Sequence, residues 1–142
     1  MTAEDACDVV AGELVGGFRA LPVLLDDNTD PGFIPDSGGV RLVLSSGSEV
    51  PYASSGVYEE PLVFTAEIST LKGSGRRLAQ RHGETIRAIF RGRTLLAPNP
   101  GGGHLLTTRT QSDFLGIVKT ATDGREFYRV NAVLVFKNLS YH

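Results

Sequence analysis

A chain of 142 residues with 41% hydrophobic and 21% charged side chains has the size and balance of one globular domain, too short to divide comfortably into two cores. A net charge of −2 offers no bulk attraction to nucleic acid or an anionic membrane, no apolar run reaches membrane-spanning length, and the single cysteine, Cys7, excludes an intramolecular disulfide. The acidic start MTAEDACDVV lacks the basic segment and apolar core of a signal peptide, so synthesis in a reducing cytoplasm is expected.

The first predicted element is a helix from Ala3 to Arg19, with Cys7, Val10, Leu14 and Phe18 at intervals of three and four on one face. Thr2 and Asp5 resemble a capping box, and Glu4 and Asp5 suit the positive end of the helix dipole. Gly12, Gly16 and Gly17 each weaken such a helix by roughly 1 kcal/mol relative to alanine, so it depends on packing, and the glycines permit close contact with a neighbour. Cys7 falls in the apolar register, where it reads as a buried structural thiol.

Pro22 ends the helix, and Asp26–Gly39 is rich in turn formers, interrupted only by Phe33 and Ile34. Those two apolar residues either pin the loop to its own core or are reserved for a partner surface. Val40–Ser45 alternates as a first strand, and a polar hairpin-like excursion flanked by Tyr52 and Tyr58 leads to a second strand, Leu62–Ser69. Lys72-Gly73-Ser74-Gly75 breaks that period. From Leu78 the spacing is helical, with Ser74 as N-cap and Gly92 as stop.

Ala97–Gly103 can continue neither helix nor regular strand and reads as a flexible loop. His104–Lys119 follows as a third strand with an irregularity near Gln111–Asp113. Asp123-Gly124 is a hairpin turn signal, and Glu126–Lys137 is the last strand. Its even face, from Tyr128 to Phe136, is core; Val133 and Val135 on the odd face imply partial cover, as by a neighbouring subunit. The predicted fold is one α+β domain over residues 1–142, order α-β-β-α-β-β, with two helices on one face of a mainly antiparallel four-stranded sheet.

Chemistry is sparse in this pattern. Gly73-Ser74-Gly75 lacks the Lys-Ser/Thr ending of a P-loop and the third glycine of a dinucleotide fingerprint. His82, His104 and His142 are dispersed, with none at metal-ligand spacing. Asp26, Asp27 and Asp30 cluster in a loop but lack the spacing of a calcium motif. No serine lies in a nucleophile elbow. No catalytic residue, metal or cofactor is therefore expected, and the chain reads as a non-enzyme.

Charge is unevenly placed. Lys72, Arg76, Arg77, Arg81, Arg87, Arg91 and Arg93 face Glu84 alone, a local balance of +6, so the remainder carries −8. A basic helix of this kind is a solvated face, a contact to nucleic-acid phosphates, or a contact to the acidic surface of a second copy. The last would be head-to-tail, a heterologous contact able to close into a ring.

The order of helix, Pro-containing loop, strand, polar hairpin, strand, Gly-x-Gly loop, a helix ending Ile-x-x-x-Phe-x-Gly at Ile86–Gly92, and a final strand pair resembles the tail terminator proteins of long-tailed bacteriophages, the minor tail protein U-like or tail completion family. Most of the likeness lies in Phe64–Gly92. The resemblance implies a virion structural protein, assembled in the host cytoplasm, that forms a hexameric ring at the head-proximal end of the tail tube. Such a ring ends tube polymerisation and offers a docking surface to the head connector.

Its implied partners are copies of itself, the tail tube protein, the head-tail connector protein, and DNA passing through the lumen without sequence-specific binding, with no membrane. Arg76, Arg77, Arg81 and Arg87 are the candidate subunit or lumen contacts. Phe33, Ile34 and Tyr52, in the loops Asp26–Gly39 and Gly47–Gly56, are candidates for reaching tube or connector, as is the loop Ala97–Gly103. A head-completion or connector protein of the same particle, or a cellular α+β ligand- or nucleic-acid-binding module, are the alternative readings.

Overall fold

The computed structural model describes residues 1–25, 33–46, 50, 51, 57–99, 102–120 and 123–141. The elements run α1 (Ala3–Gly17), β1 (Val23–Leu25), β2 (Gly38–Ser46), β3 (Val50–Pro51), β4 (Val57–Leu71), α2 (Arg76–Phe90), β5 (Thr94–Leu96), β6 (His104–Lys119) and β7 (Glu126–Tyr141). Six strands follow one another across the sheet in the order β1-β2-β4-β7-β6-β5, and β3 pairs with β4 off that path. The pairing of β1 with β2 is parallel and the others are antiparallel. The mixed sheet curls into a half-barrel.

This corrects the predicted four-stranded sheet and its α-β-β-α-β-β order. The strands missed by periodicity, β1, β3 and β5, have three, two and three residues, too few to display an alternation. They are added by tertiary hydrogen bonds: the Val40 amide donates to the Pro22 carbonyl at 2.8 Å beside β1, and the Thr107 amide to the Arg93 carbonyl at 3.0 Å beside β5. The curl also required more length than was read. β4 and β7 pair over their whole span, from Val57↔Tyr141 to Leu71↔Phe127.

Register explains the core. Across β2, β4, β7 and β6, Leu44, Phe64, Leu134 and Thr110 lie in one row, Leu42, Ala66, Ala132 and Ser112 in the next, and Val40, Ile68, Val130 and Phe114 in a third. The middle row is small across β4, β7 and β6, so a helix can approach the sheet there. Gly83 on α2 does so: a Cβ added to it would lie 2.4 Å from Ser112 Oγ and 2.8 Å from Val130 Cγ1. Ala79, His82, Ile86 and Phe90 of α2 are buried beside it, and α1 contributes Ala6, Val10, Ala11 and Leu14 to the same core. Phe136 packs edge-on to both Phe64 and Phe90, at 5.7 and 6.0 Å between ring centres.

The helix termini follow the sequence in part. Thr2 Oγ1 accepts a hydrogen bond from the Asp5 amide at 3.1 Å, as expected of a capping residue. Ser74 does not cap α2; it lies in a 3₁₀ turn over Lys72–Ser74, and Gly75 takes the cap position with no side-chain bond. Gly92, at φ +67°, follows the end of α2 in the left-handed region where glycine carries no steric penalty. Gly17 sits where a Cβ would come within 3.1 Å of Ile89, so it serves the contact between helices, whereas among the described residues no atom lies within 4 Å of a Cβ placed at Gly12 or Gly16.

The β6–β7 hairpin turns at Asp123-Gly124 as predicted, with the Thr120 amide donating to the Arg125 carbonyl at 2.9 Å. The irregularity expected near Gln111–Asp113 falls on either side of it instead, as register shifts at Thr107/Arg109 and Phe114/Gly116. A bulge there leaves Leu115 without a partner on β7.

Candidate functional site

The basic segment was the strongest signal in the sequence, and its seven cations divide by environment. Lys72 pairs with Glu126 at 2.8 Å, and Arg93 reaches Glu13 at 3.0 Å, tying the end of α2 to α1. Arg87 binds Glu84 at 3.0 Å and donates to the Thr110 carbonyl of β6 at 3.3 Å. Its guanidinium is thus held by groups of its own chain. Arg76 lies over Phe114, with its guanidinium carbon 4.1 Å from the ring centre. Arg77, Arg81 and Arg91 are exposed and make no ion pair among the described residues.

Arg76 and Arg77 stand in the first turn of α2, which holds no acidic residue. Cations at the positive end of a helix dipole destabilise it, each by roughly 0.3–1 kcal/mol. Their placement opposes helix stability, so an anionic surface docking there would relieve a standing repulsion.

Acidic residues stand on α1. Glu4 and Asp8 are exposed and rim a groove of about 360 Å³ whose walls are Leu25, Leu42, Leu44 and Phe64, with Cys7 and Ala11 completing it. Cys7 is half-buried at this margin rather than in the core, which centres on Ala6, Val10 and Leu14. The groove runs beside the β1 end of the sheet. β1 covers only Val40–Leu42 of β2, so among the described residues Val43–Ser46 have no strand beyond them.

The other end of the sheet is similarly open. β5 pairs with only His104–Leu106, so among the described residues most of β6 is an edge. Leu115 and Ile117 on that stretch are 57% and 49% exposed. Sequence alternation could not reveal either feature, because it reports which face a residue takes but not whether a strand has a neighbour. The adjacent Leu115-Gly116 was the available hint of a bulge.

The sheet face opposite the helices carries a third cluster. Arg41, only 7% exposed, donates to the Phe33 carbonyl at 3.3 Å, and Arg129 donates to Ser69 Oγ at 3.1 Å and pairs with Glu67 at 3.5 Å. Arg125 bonds Asp36 at 2.9 Å, approaches the Ile34 carbonyl at 3.5 Å and lies 5.4 Å from the buried Phe127 ring. These contacts hold residues 33–36 over the sheet, around a cavity of about 140 Å³. The loop is thus pinned by its carbonyls. Ile34 is half-buried, and Phe33 is left 52% exposed. Tyr52, the remaining loop candidate, lies outside the described residues, as do Asp26, Asp27, Asp30 and His142.

Several titratable groups among the described residues are shifted. His82 is lowered from its ordinary value by burial, with the Arg81 charge adding to the effect, and its ring meets Phe18 edge-on at 5.3 Å. Lys72 is raised and Glu126 lowered by the hydrogen bond and charge they share. Asp123 is lowered by the Thr120 hydroxyl, then by the Arg125 amide. No group of three or more His, Cys, Asp or Glu able to hold a metal occurs among the described residues, and no helix there is long and apolar enough to cross a membrane. The chain matches no protein-family model, and no curated protein is similar to it in sequence.

Proposed function

We propose that this chain is a structural subunit that joins copies of itself in a ring, a hexamer by the resemblance, at the head-proximal end of a bacteriophage tail tube. There it ends tube growth and receives the head connector, with DNA passing through the lumen. The supporting observation is a pair of unlike surfaces: exposed Arg77 and Arg81 on α2, beside Arg76 over Phe114 of β6, and exposed Glu4 and Asp8 on α1, at the groove walled by β1 and β2. A subunit whose two ends differ and complement one another assembles head-to-tail, and a constant rotation closes such an assembly into a ring.

Electron microscopy of particles assembled without this protein tests the reading. Tails of excessive and variable length that fail to join filled heads are expected. Normal tails beside leaking heads would assign the chain to the head connector instead, and unchanged particles would exclude a virion role. Duplex binding by the isolated protein that falls steeply with salt and vanishes on changing Arg76, Arg77 and Arg81 to Glu would favour a nucleic-acid-binding module.

A further inference from the structure

From the two open ends of the sheet we infer that the occupant of the α1 groove is the β6 edge of a second copy of this chain. The inference rests on the self-assembly reading above and names the surfaces that meet. Three observations carry it.

The first is topological. β6 and β1/β2 lie at opposite ends of the sheet, and each leaves backbone groups without a strand partner among the described residues. Unpaired edges are templates for strand addition, and joining two ends of one sheet between copies satisfies both at once. The two register shifts in β6 bend that edge and make it a poor template for indiscriminate pairing. Side-chain fit must therefore select the partner.

The second is apolar complementarity. Ile117 pairs with Tyr128, in the alternation of β7 whose other members, from Val130 to Phe136, face the helices. The groove walls Leu42 and Leu44 lie on that same face of β2. If the two edges join with their helix-bearing faces aligned, Ile117, with Leu115 beside it, meets the groove. Both leucine and isoleucine are too exposed in the single subunit to be explained by its own packing.

The third is charge. Arg76, held over Phe114, and its exposed neighbour Arg77 stand beside the β6 edge, while Glu4 and Asp8 rim the groove. Docking brings the unfavourably placed cations of α2 to carboxylates. Like ends repel, which selects head-to-tail over face-to-face pairing.

The test uses the full chain and two variants, Ile117→Arg at the edge and Glu4→Arg/Asp8→Arg at the groove rim, all at exposed positions, with circular dichroism to establish folding. Light scattering during size-exclusion chromatography is expected to give a closed oligomer for the parent and monomers for each variant. Mixed in equal amounts, the variants should form a one-to-one dimer and nothing larger, because each retains one sound surface and the dimer exposes only the two damaged ones. Variants that assemble as the parent does would overturn the inference while leaving self-assembly standing. A parent that stays monomeric at about 1 mM, or a mixture that stays monomeric, would also overturn it. The tail-terminator role is judged separately, by the particles that form without the protein.

Discussion

His82 is where a single residue couples stability to pH. Its ring is buried between α1 and α2 against Phe18, and burial, aided by Arg81, lowers its pKa below the ordinary value. A histidine held neutral in the fold binds its proton more readily when unfolded. Its contribution is therefore complete above the ordinary pKa of about 6.5 and is lost as pH falls through that value toward the lowered one. Thermal unfolding between pH 7.5 and 5 should show a falling midpoint in the parent, and His82→Leu should flatten that slope. Glu126 and Asp123 act in a separate window: their lowered pKa values contribute above the ordinary carboxylate range and are lost below about pH 4. A slope that persists unchanged in His82→Leu would place the acid sensitivity elsewhere.

At the scale of elements, the seat of α2 on the sheet depends on Gly83. Alanine would favour the helix by about 1 kcal/mol, but its methyl would meet Ser112 and Val130 at overlapping distances, and overpacking of this kind costs about 1–3 kcal/mol. Gly83→Ala should thus destabilise by up to about 2 kcal/mol in denaturant titration. Adding Ser112→Ala should recover part of that loss, since Ser112 Oγ is the nearest obstacle. An unaltered or raised midpoint in Gly83→Ala would mean that the helix shifts freely on the sheet.

The elements also show where the sequence was legible. α1, β6 and the β6–β7 turn were read within a residue or two, because Val10/Leu14, the long alternation and Asp123-Gly124 are local signals. Ser74 was misplaced as a cap because a 3₁₀ turn intervenes, a choice made by backbone geometry that Gly73 and Gly75 leave open. The arginines of the candidate surface were legible by charge alone. Their division into Arg87, spent on Glu84 and Thr110, and Arg77, left in solvent, depends on the turn of α2 over β6 and was not. The groove was equally hidden, since Glu4 and Leu44 are forty residues apart and meet only through the sheet.

Across the whole molecule, the half-barrel is built from contacts between distant segments. β4 lies between β2 and β7, and β7 between β4 and β6, so the last strand in the chain order sits inside the sheet rather than at its margin. A chain ending before Glu126 would keep β2–β4 and β5–β6 as separate pairs, each with a long exposed edge, instead of yielding a smaller intact sheet. Such a truncation should partition to the insoluble fraction on expression, whereas removal of α1 residues alone should leave strand content measurable by circular dichroism. A soluble, strand-rich truncated chain would refute this dependence on β7.

The interior position of β7 has a consequence during synthesis. Until Glu126–Tyr141 has left the ribosome, β4 and β6 must wait with their inner edges unpaired, and α2 has no completed floor on which to settle. Folding of the sheet is thereby deferred until that strand has emerged, when fifteen registered pairs with β4 can form together. Every chain then passes through a brief interval as a partly formed sheet whose inner edges compete with its outer ones, so the rate of supply from the ribosome, as much as the strength of the finished contacts, governs how many chains reach the native fold.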